Sequence, residues 1–495
     1  MMQSNSSSQQ QQHKDKRPLD PLITIQVALD EHAGSKTPLG TASSRTTIAS
    51  VCFLPSSSSS RDILDIHANQ QDNEADDDDD DEDDSSSSSD DDDSGEFQLR
   101  CHQILQGEST SRRDPTTKAR QMAATMTSLG GRYLASCHAN GEVSLWDLAS
   151  RQSIDDHFIE NRGPGWMLRR IEGTQQMLYQ TRDPMGTVSL HDLFGGRATT
   201  TGSSNQKIVT SFETYSQTFC SAAPCTGNPN LLALPSEGES DVTIRDLRVD
   251  PVSLPVAVFP GAGQQAEGEE RKHGMLTSLA FSKSLLSTDG MDSISSRPVV
   301  ASGMESGEVF FHDLAMLGKA LPPPSFKLAN DPVLALDMAP SKPRGVVAVA
   351  GMAGEAGEIK ELPTEEQGTV ALLKATFHEE QLQDDNNVPS MKVRLRSRLH
   401  TCQPTGDGKP GVNLIRFQPG EGRFFAVGGW DKRLRIMDRA AQSKKSGRGA
   451  LLAILRGHHE SVKAMDWAPD SAQSGLLATA AGDGKIHVWK CFSKS

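Results

Sequence analysis

The amino-acid sequence predicts an all-β fold, a seven-bladed β-propeller, and three observations lead there. A hairpin pattern returns seven times along the 495 residues. A short alternating strand, closed by a bulky residue, one spacer and usually proline, precedes most copies. Seven such units of about 40 residues match the period of four-stranded propeller blades, with polar loops absorbing the surplus.

The hairpin consists of an apolar β-rich run, a turn with Gly or Asp, a second alternating run and a closing triplet that is most often aromatic or polar, then Asp-Leu. It reads YLASCHANGEVSLWDL at 133–148, MLYQTRDPMGTVSLHDL at 177–193, LLALPSEGESDVTIRDL at 231–247 and VVASGMESGEVFFHDL at 299–314. A degenerate copy spans 346–373, and FFAVGGWDKRLRIMD at 424–438 and LLATAAGDGKIHVWK at 476–490 complete the set. The preceding strand is seen in SVCFLP (50–55), SLAFSK (278–283), ALDMAP (335–340), LIRFQP (414–419) and AMDWAP (464–469). Proline ends it because proline cannot donate to a following ladder.

Residues 1–20 are Gln/Ser-rich and 56–120 hold two serine and two aspartate runs, so both are expected to be disordered for lack of apolar surface. The propeller is placed at 21–495, with 56–120 an acidic insertion within blade 1. Further insertions are expected near 197–208, 261–273, 283–296, 354–366, 378–390 and 403–410. GRGALLAIL (447–455) reads as a loop followed by a strand. The last hairpin ends at Trp489, leaving its blade short of an outer strand, and ITIQVAL (23–29) has no blade of its own. Pairing the two would close the ring, so Ile23–Leu29 is the expected outer strand of blade 7.

The net charge of −15 is local, because Asp72–Asp93 alone carries 15 carboxylates and no Lys or Arg. The remaining acidic residues equal the 50 basic ones, which argues against a direct nucleic-acid surface. The serines before Asp90–Asp93 would suit an acid-directed kinase, while the plainer reading is a solvated linker. No run approaches the roughly 18 apolar residues of a membrane span and the N-terminus lacks a signal-peptide core, so a soluble protein of the nucleus and/or cytoplasm is expected. Cys52, Cys101, Cys137, Cys220, Cys225, Cys402 and Cys491 form no CxxC pair or zinc spacing, the pattern of isolated reduced thiols. There is no phosphate loop, GxSxG elbow, HExxH or DxDxDG motif. No catalytic residue, metal ligand or cofactor is expected.

From Gly457-His458 to Trp489 the seventh unit resembles a near-complete WD repeat. That resemblance assigns His458, Thr479, Asp483 and Trp489 to a buried hydrogen-bond chain of structural purpose, which holds only when every member is satisfied. Elsewhere only fragments remain: Asn140 and Trp146 in blade 1, Asp431 in blade 6, and His191, Arg245, His312 or Met437 where Trp would stand. Those blades are expected to rely on apolar packing. In GGWDKR (428–433), Trp430 and Arg433 are candidate partner-binding residues, weighed against simple packing of Trp430 on the neighbouring blade.

Taken in order, FFAVGGWDKRLRIMD followed by LLAILRGHHESVKAMDWAP and LLATAAGDGKIHVW resembles the G protein β-subunit-like protein 1 / ASTRA-associated protein 1 family. ASGMESGEVFFHDL followed by DPVLALDMAP, and LLALPSEGESDVTIRDL, support it; the likeness covers about 20–55 and 130–492. The acidic insertion and the long loops of blades 4 to 6 depart from the family pattern. The resemblance implies a non-catalytic scaffold in an ASTRA-like chromatin assembly or the Tel2–Tti1–Tti2 co-chaperone of phosphatidylinositol-3-kinase-related kinases. Tel2/Tti1/Tti2-like or Rvb-like subunits would then be its partners, with the chain a monomer inside the hetero-complex. A G protein β-like subunit would need an N-terminal coiled-coil heptad, which residues 1–19 lack. A cullin-ligase receptor would need a Trp-Asp-x-Arg end, and Arg245-Asp246-Leu247-Arg248 lacks the Trp.

Overall fold

The computed structural model describes residues 23–26, 48–54, 132–159, 163–192, 208–260, 273–286, 295–316, 323–340, 344–352, 370–379, 389–399, 411–420, 422–442, 449–469 and 475–491. These residues form a seven-bladed β-propeller of 28 strands, with one 3-10 turn at Leu314–Met316. Blade 1 is β2 (Ile48–Phe53), β3 (Tyr133–His138), β4 (Val143–Asp147) and β5 (Gln152–Ile159); blade 2 is β6 (Gly165–Arg170), β7 (Gln176–Thr181), β8 (Thr187–Asp192) and β9 (Ile208–Glu213). Blade 3 holds β10 (Ala223–Pro224), β11 (Leu231–Pro235), β12 (Val242–Asp246) and β13 (Ala257–Phe259). Blade 4 holds β14 (Leu276–Leu286), β15 (Ser295–Met304), β16 (Glu308–Asp313) and β17 (Ser325–Lys327), and blade 5 β18 (Val333–Pro340), β19 (Arg344–Met352), β20 (Val370–Glu379) and β21 (Pro389–Leu399). Blade 6 holds β22 (Val412–Phe417), β23 (Phe424–Gly429), β24 (Leu434–Gln442) and β25 (Gly449–Leu455). Blade 7 takes β26 (Val462–Trp467), β27 (Leu476–Ala481) and β28 (Lys485–Lys490) from one end of the sequence and β1 (Ile23–Gln26) from the other. β1 lies antiparallel to β28 with Ile23 opposite Val488 and Gln26 opposite Lys485.

Residues 1–20, 27–29 and 56–120, and with them 197–207, 261–272, 354–366 and 403–410 of the expected insertions, lie outside the described residues. Two expected insertions are corrected. The stretch 283–296 is partly strand, because β14 runs on to Leu286 and β15 begins at Ser295. Likewise, β20 continues to Glu379 and β21 starts at Pro389, inside 378–390. Polar residues in these extensions, such as Lys283, Ser284 and Ser295, hide the apolar pattern without preventing ladder formation. The extension also lets β14 pair with β19, joining blades 4 and 5 through Leu285–Gly345 and Leu286–Arg344.

The second strand of each blade is covered by a neighbour on both faces, which explains its unbroken apolar run. LLATAA of β27 is buried at every position. β9, an outer strand, is mostly exposed. Core clusters accordingly lie between blades: Ile48, Phe53 and Trp146 of the blade 1 segment pack on Ala464, Leu476 and Val488 of blade 7. Burying a large apolar side chain at such a seam contributes about 1.5–3 kcal/mol.

Each of the seven seams is also fastened by a polar contact. Ser50 Oγ donates to Leu168 O at 3.1 Å and accepts from Leu168 N at 2.9 Å between blades 1 and 2. Ala222 N donates to Gln180 Oε1 at 2.9 Å ahead of blade 3, and Thr226 N to Phe281 O at 3.0 Å between blades 3 and 4. Thr277 Oγ1 and Ser278 Oγ each donate to Val333 O at 2.7 Å. Phe417 N donates to Asp337 Oδ2 at 2.6 Å, Asn413 Nδ2 to Val462 O at 2.9 Å and Phe53 N to Asp466 Oδ2 at 2.9 Å, finishing the circuit from blade 5 back to blade 1. Blade 3 is the weakest member, since its inner strand has shrunk to Ala223–Pro224, with Pro224 on a free edge where no ladder hydrogen bond is lost.

Candidate functional site

In an antiparallel meander, the turn between second and third strands lies at the same end as the connection entering the next blade. That end gathers Asp483, His458 and Trp430, and all four residues of the blade 7 chain meet beneath it. Trp489 Nε1 lies 2.8 Å from Thr479 Oγ1, which lies 2.9 Å from His458 Nε2; His458 Nδ1 is 3.4 Å from both Asp483 carboxylate oxygens. Indole can only donate and a carboxylate can only accept. In the neutral imidazole the protons therefore run from Trp489 to Thr479, Thr479 to His458 and His458 Nδ1–H to Asp483. Burial pushes the Asp483 carboxyl up, but hydrogen bonds from His458, His459 N and Lys485 N outweigh it and hold the group far below its ordinary value. The members are consumed by one another, so the His and Asp serve to pin the 482–484 turn to the sheet.

The expectation that the other blades rely on apolar packing needs correction. At the equivalent pair of positions, Trp146 Nε1 donates to Ser136 Oγ at 2.8 Å in blade 1, and Ser302 Oγ lies 3.1 Å from His312 Nε2 in blade 4. In blade 2 the strand position is Tyr179, and His191 Nε2 turns instead to Ser189 Oγ at 2.8 Å. Arg245 of blade 3 donates outward to Ser253 O. Only blades 5 and 6 are apolar at both positions, with Ala350 beside Leu373 and Val427 beside Met437. In blades 1, 4 and 7 a hydroxyl accompanies Trp or His, and in blades 5 and 6 an aliphatic residue accompanies an aliphatic one, so the polar members stand where each has a partner. Single positions in the sequence do not reveal this, because in blades 1, 4 and 7 the matching member lies ten residues away. Asp431, the turn aspartate of blade 6, has exchanged histidine for Arg435, whose Nη1 donates to Asp431 Oδ1 at 3.0 Å in a buried bidentate pair. Asn140 caps the blade 1 turn through Glu142 N at 3.1 Å.

The buried histidines make stability pH-dependent. Burial pushes His191 and His312 down to about 4, and burial followed by the neighbouring His458 does the same for His487. Unfolded histidine titrates near 6.5. Their contribution is therefore complete above about pH 6.5 and is lost as pH falls toward 4, by up to about 3 kcal/mol per histidine. Melting temperature is expected to be level from pH 8 to 7 and to fall below 6.5, with His312→Asn removing part of that slope. An unchanged slope in the variant would contradict this origin.

Trp430 stands at the β23–β24 turn and is 38% exposed. Its inner ring face rests on Gly411, where any Cβ would come within 2.5 Å of the indole, and Trp430 N donates to Gly411 O at 2.9 Å. Asp431–Arg435 ties the turn from below, and the other face of the indole is left to water. Arg433 is two residues beyond Asp431, half-buried on the same turn.

Among the described residues, no group of three or more His, Cys, Asp or Glu is placed to hold a metal, and no helix is long and apolar enough to cross a membrane. The described cysteines, Cys52, Cys137, Cys220, Cys225 and Cys491, are free thiols.

The class of protein is thus a seven-bladed β-propeller, and the repeat type of its last blade is a WD repeat. Residues 449–490 match the family model described as WD domain, G-beta repeat. No curated protein matches the chain. Among solved structures it is similar to the β-propeller domain of Cps50 (Swd1) of Myceliophteria thermophila, at 19% identity and a TM-score of 0.46, over 72% of this chain and 93% of that one. It is similar also to Sqt1 of Chaetomium thermophilum bound to the N-terminus of ribosomal protein L10, at 16% identity and TM-score 0.44, over 73% and 81% of the two chains. A chain of the Mitotic Checkpoint Complex is similar at 12% identity and TM-score 0.43, over 73% and 88%. The fold itself is defined by the strand pairing described above.

Proposed function

We propose that the protein is a non-catalytic scaffold that binds other proteins through the face carrying the Trp430 turn. The observation that carries this is Trp430, a large aromatic on a turn tied down by Asp431–Arg435 and more than a third exposed to water, beside Arg433. Trp and Arg are the residue types that dominate binding hot spots, and pre-organisation lowers the cost of using them. The order of the degenerate blades supports a finer reading, a subunit of an ASTRA-like or Tel2–Tti1–Tti2-type assembly in the nucleus and/or cytoplasm. The repeat match at 449–490 supports the scaffold class and is silent on the assembly.

Affinity purification of the tagged full chain with mass spectrometry tests both levels. Recovery of Tel2-, Tti1-, Tti2- or Rvb-like proteins supports the finer reading, and recovery of cullin adaptors instead replaces it. The double variant Trp430→Ala, Arg433→Ala is expected to lose capture at least tenfold, about 1.4 kcal/mol or more. Its stability should change by no more than about 1 kcal/mol. Equal capture by the double variant removes the Trp430 turn from the interface.

A further inference from the structure

Seven inner strands surround the propeller axis, and their register places one residue of each blade at the same level. Cys52 faces Ala135 across the first ladder of blade 1, Arg169 faces Leu178 in blade 2, and Asp337 faces Val349 in blade 5. Arg416 opposite Ala426 and Asp466 opposite Ala478 hold the position in blades 6 and 7, while blades 3 and 4 carry only Ala223 and Ala280. The charges of blades 5, 6 and 7 all act on Arg169 of blade 2. The shared level of their inner strands around the axis brings these charges within range of one another. Arg170, the next residue, belongs to the same group, since its charge and that of Arg169 both reach Cys52 and Asp466.

The charges at this level are unevenly satisfied. Each carboxylate is already used, Asp466 by Phe53 N at 2.9 Å and Asp337 by Phe417 N at 2.6 Å. Arg416 Nη1 donates to Ile415 O at 3.0 Å. Arg169 Nε and Arg170 Nη1, by contrast, are buried and have no hydrogen-bond partner among the described residues. Among the described residues three guanidiniums accompany two carboxylates here, one positive charge in excess, and burial pushes the Asp466 carboxyl above its ordinary value. Burial and then the charge of Arg416 push Arg169 down to about 9. Arg169, Arg170, Asp337, Arg416 and Asp466 are nevertheless each partly reached by solvent, so the group lines a channel and is not sealed in a core.

A guanidinium N–H buried without a partner is costly, and the forked donors of such a group match an oxyanion. We propose that this axial site binds a small oxyanion, a carboxylate or phosphate group, held by Arg169 and Arg170 with Arg416 closing the far side. Asp337 and Asp466 anchor the surrounding strands and repel a second anion, which limits the site to one.

The test uses the full chain with inorganic phosphate and acetate as probes, against chloride at matched ionic strength, read by calorimetric titration and by thermal melting. One of the two probes is expected to bind saturably at a single site and to raise the melting temperature by about 5 °C at a hundredfold excess over Kd. Which probe does so separates a phosphate ligand from a carboxylate one. Arg169→Leu, which removes one of the two guanidiniums that hold the anion, should fold and lose the response; Arg416→Leu should weaken it, and the surface variant Arg248→Leu should keep it. If neither probe moves the midpoint beyond chloride, or if Arg169→Leu responds as the unaltered chain does, the site holds only water and the proposal is overturned. Should Arg169→Leu fail to fold, Arg169→Gln is read by the same criteria.

Discussion

Thr479→Val is expected to destabilise the propeller by about 3 kcal/mol, although it exchanges one group for another of nearly the same size. The hydroxyl is the single atom on which Trp489 Nε1 and His458 Nε2 converge, at 2.8 and 2.9 Å. Valine would leave a buried indole donor without an acceptor and a buried imidazole nitrogen without its donor, each costing about 1–3 kcal/mol. Blade 6 shows why the effect is contextual: it carries Val427 at this position without penalty because its partner there is Met437 rather than Trp. Placing Met at 489 together with Val at 479 should therefore recover part of the loss, a coupling that a double-mutant cycle measures directly. Thermal melting of the two single variants and the double is sufficient. Additive losses would mean that the hydrogen-bond chain carries no coupling energy of its own.

The same contrast explains what could be read from the sequence. Blade count, strand order and the hairpins were legible because a β-strand writes its burial into alternation and a repeated blade writes it seven times. LLATAAGDGKIHVWK is unambiguous since strand, turn aspartate and Trp all survive. Where the pattern is diluted by polar residues, as in FSKSLL, the strand continues but its signature does not. The polar pairs of blades 1, 2 and 4 were missed for a different reason. Ser136, Ser189 and Ser302 are ordinary strand residues until the fold sets them beside Trp146, His191 and His312. Arg169 is the extreme case: nothing local distinguishes it from the solvent-facing arginine of a strand end, and only the sevenfold register brings it near Asp337, Arg416 and Asp466.

Removing residues 1–30 is expected to have the largest effect of all, loss of the cooperative fold, while removing 1–18 should leave melting unchanged. β1 runs only from Ile23 to Gln26, yet it is the outward neighbour of β28, matched from Ile23–Val488 to Gln26–Lys485. Every other blade draws its fourth strand from the residues that follow its third, whereas blade 7 draws its own from the far end of the sequence. Four paired residues are a modest ladder, about 0.5–1.5 kcal/mol for each hydrogen bond. Their weight lies in topology: β1 leads into β2 of blade 1, so its pairing with β28 ties the first blade to the last and covers an edge that would otherwise be open to other chains. Losing several kcal/mol there approaches the whole stability of a typical domain, about 5–15 kcal/mol. The shortened chain should therefore aggregate or melt without a cooperative transition in calorimetry. If residues 31–495 give a soluble protein with the melting temperature of the full chain, the blade 1 and blade 7 cluster of Ile48, Trp146, Leu476 and Val488 closes the ring unaided, and β1 is an accessory strand.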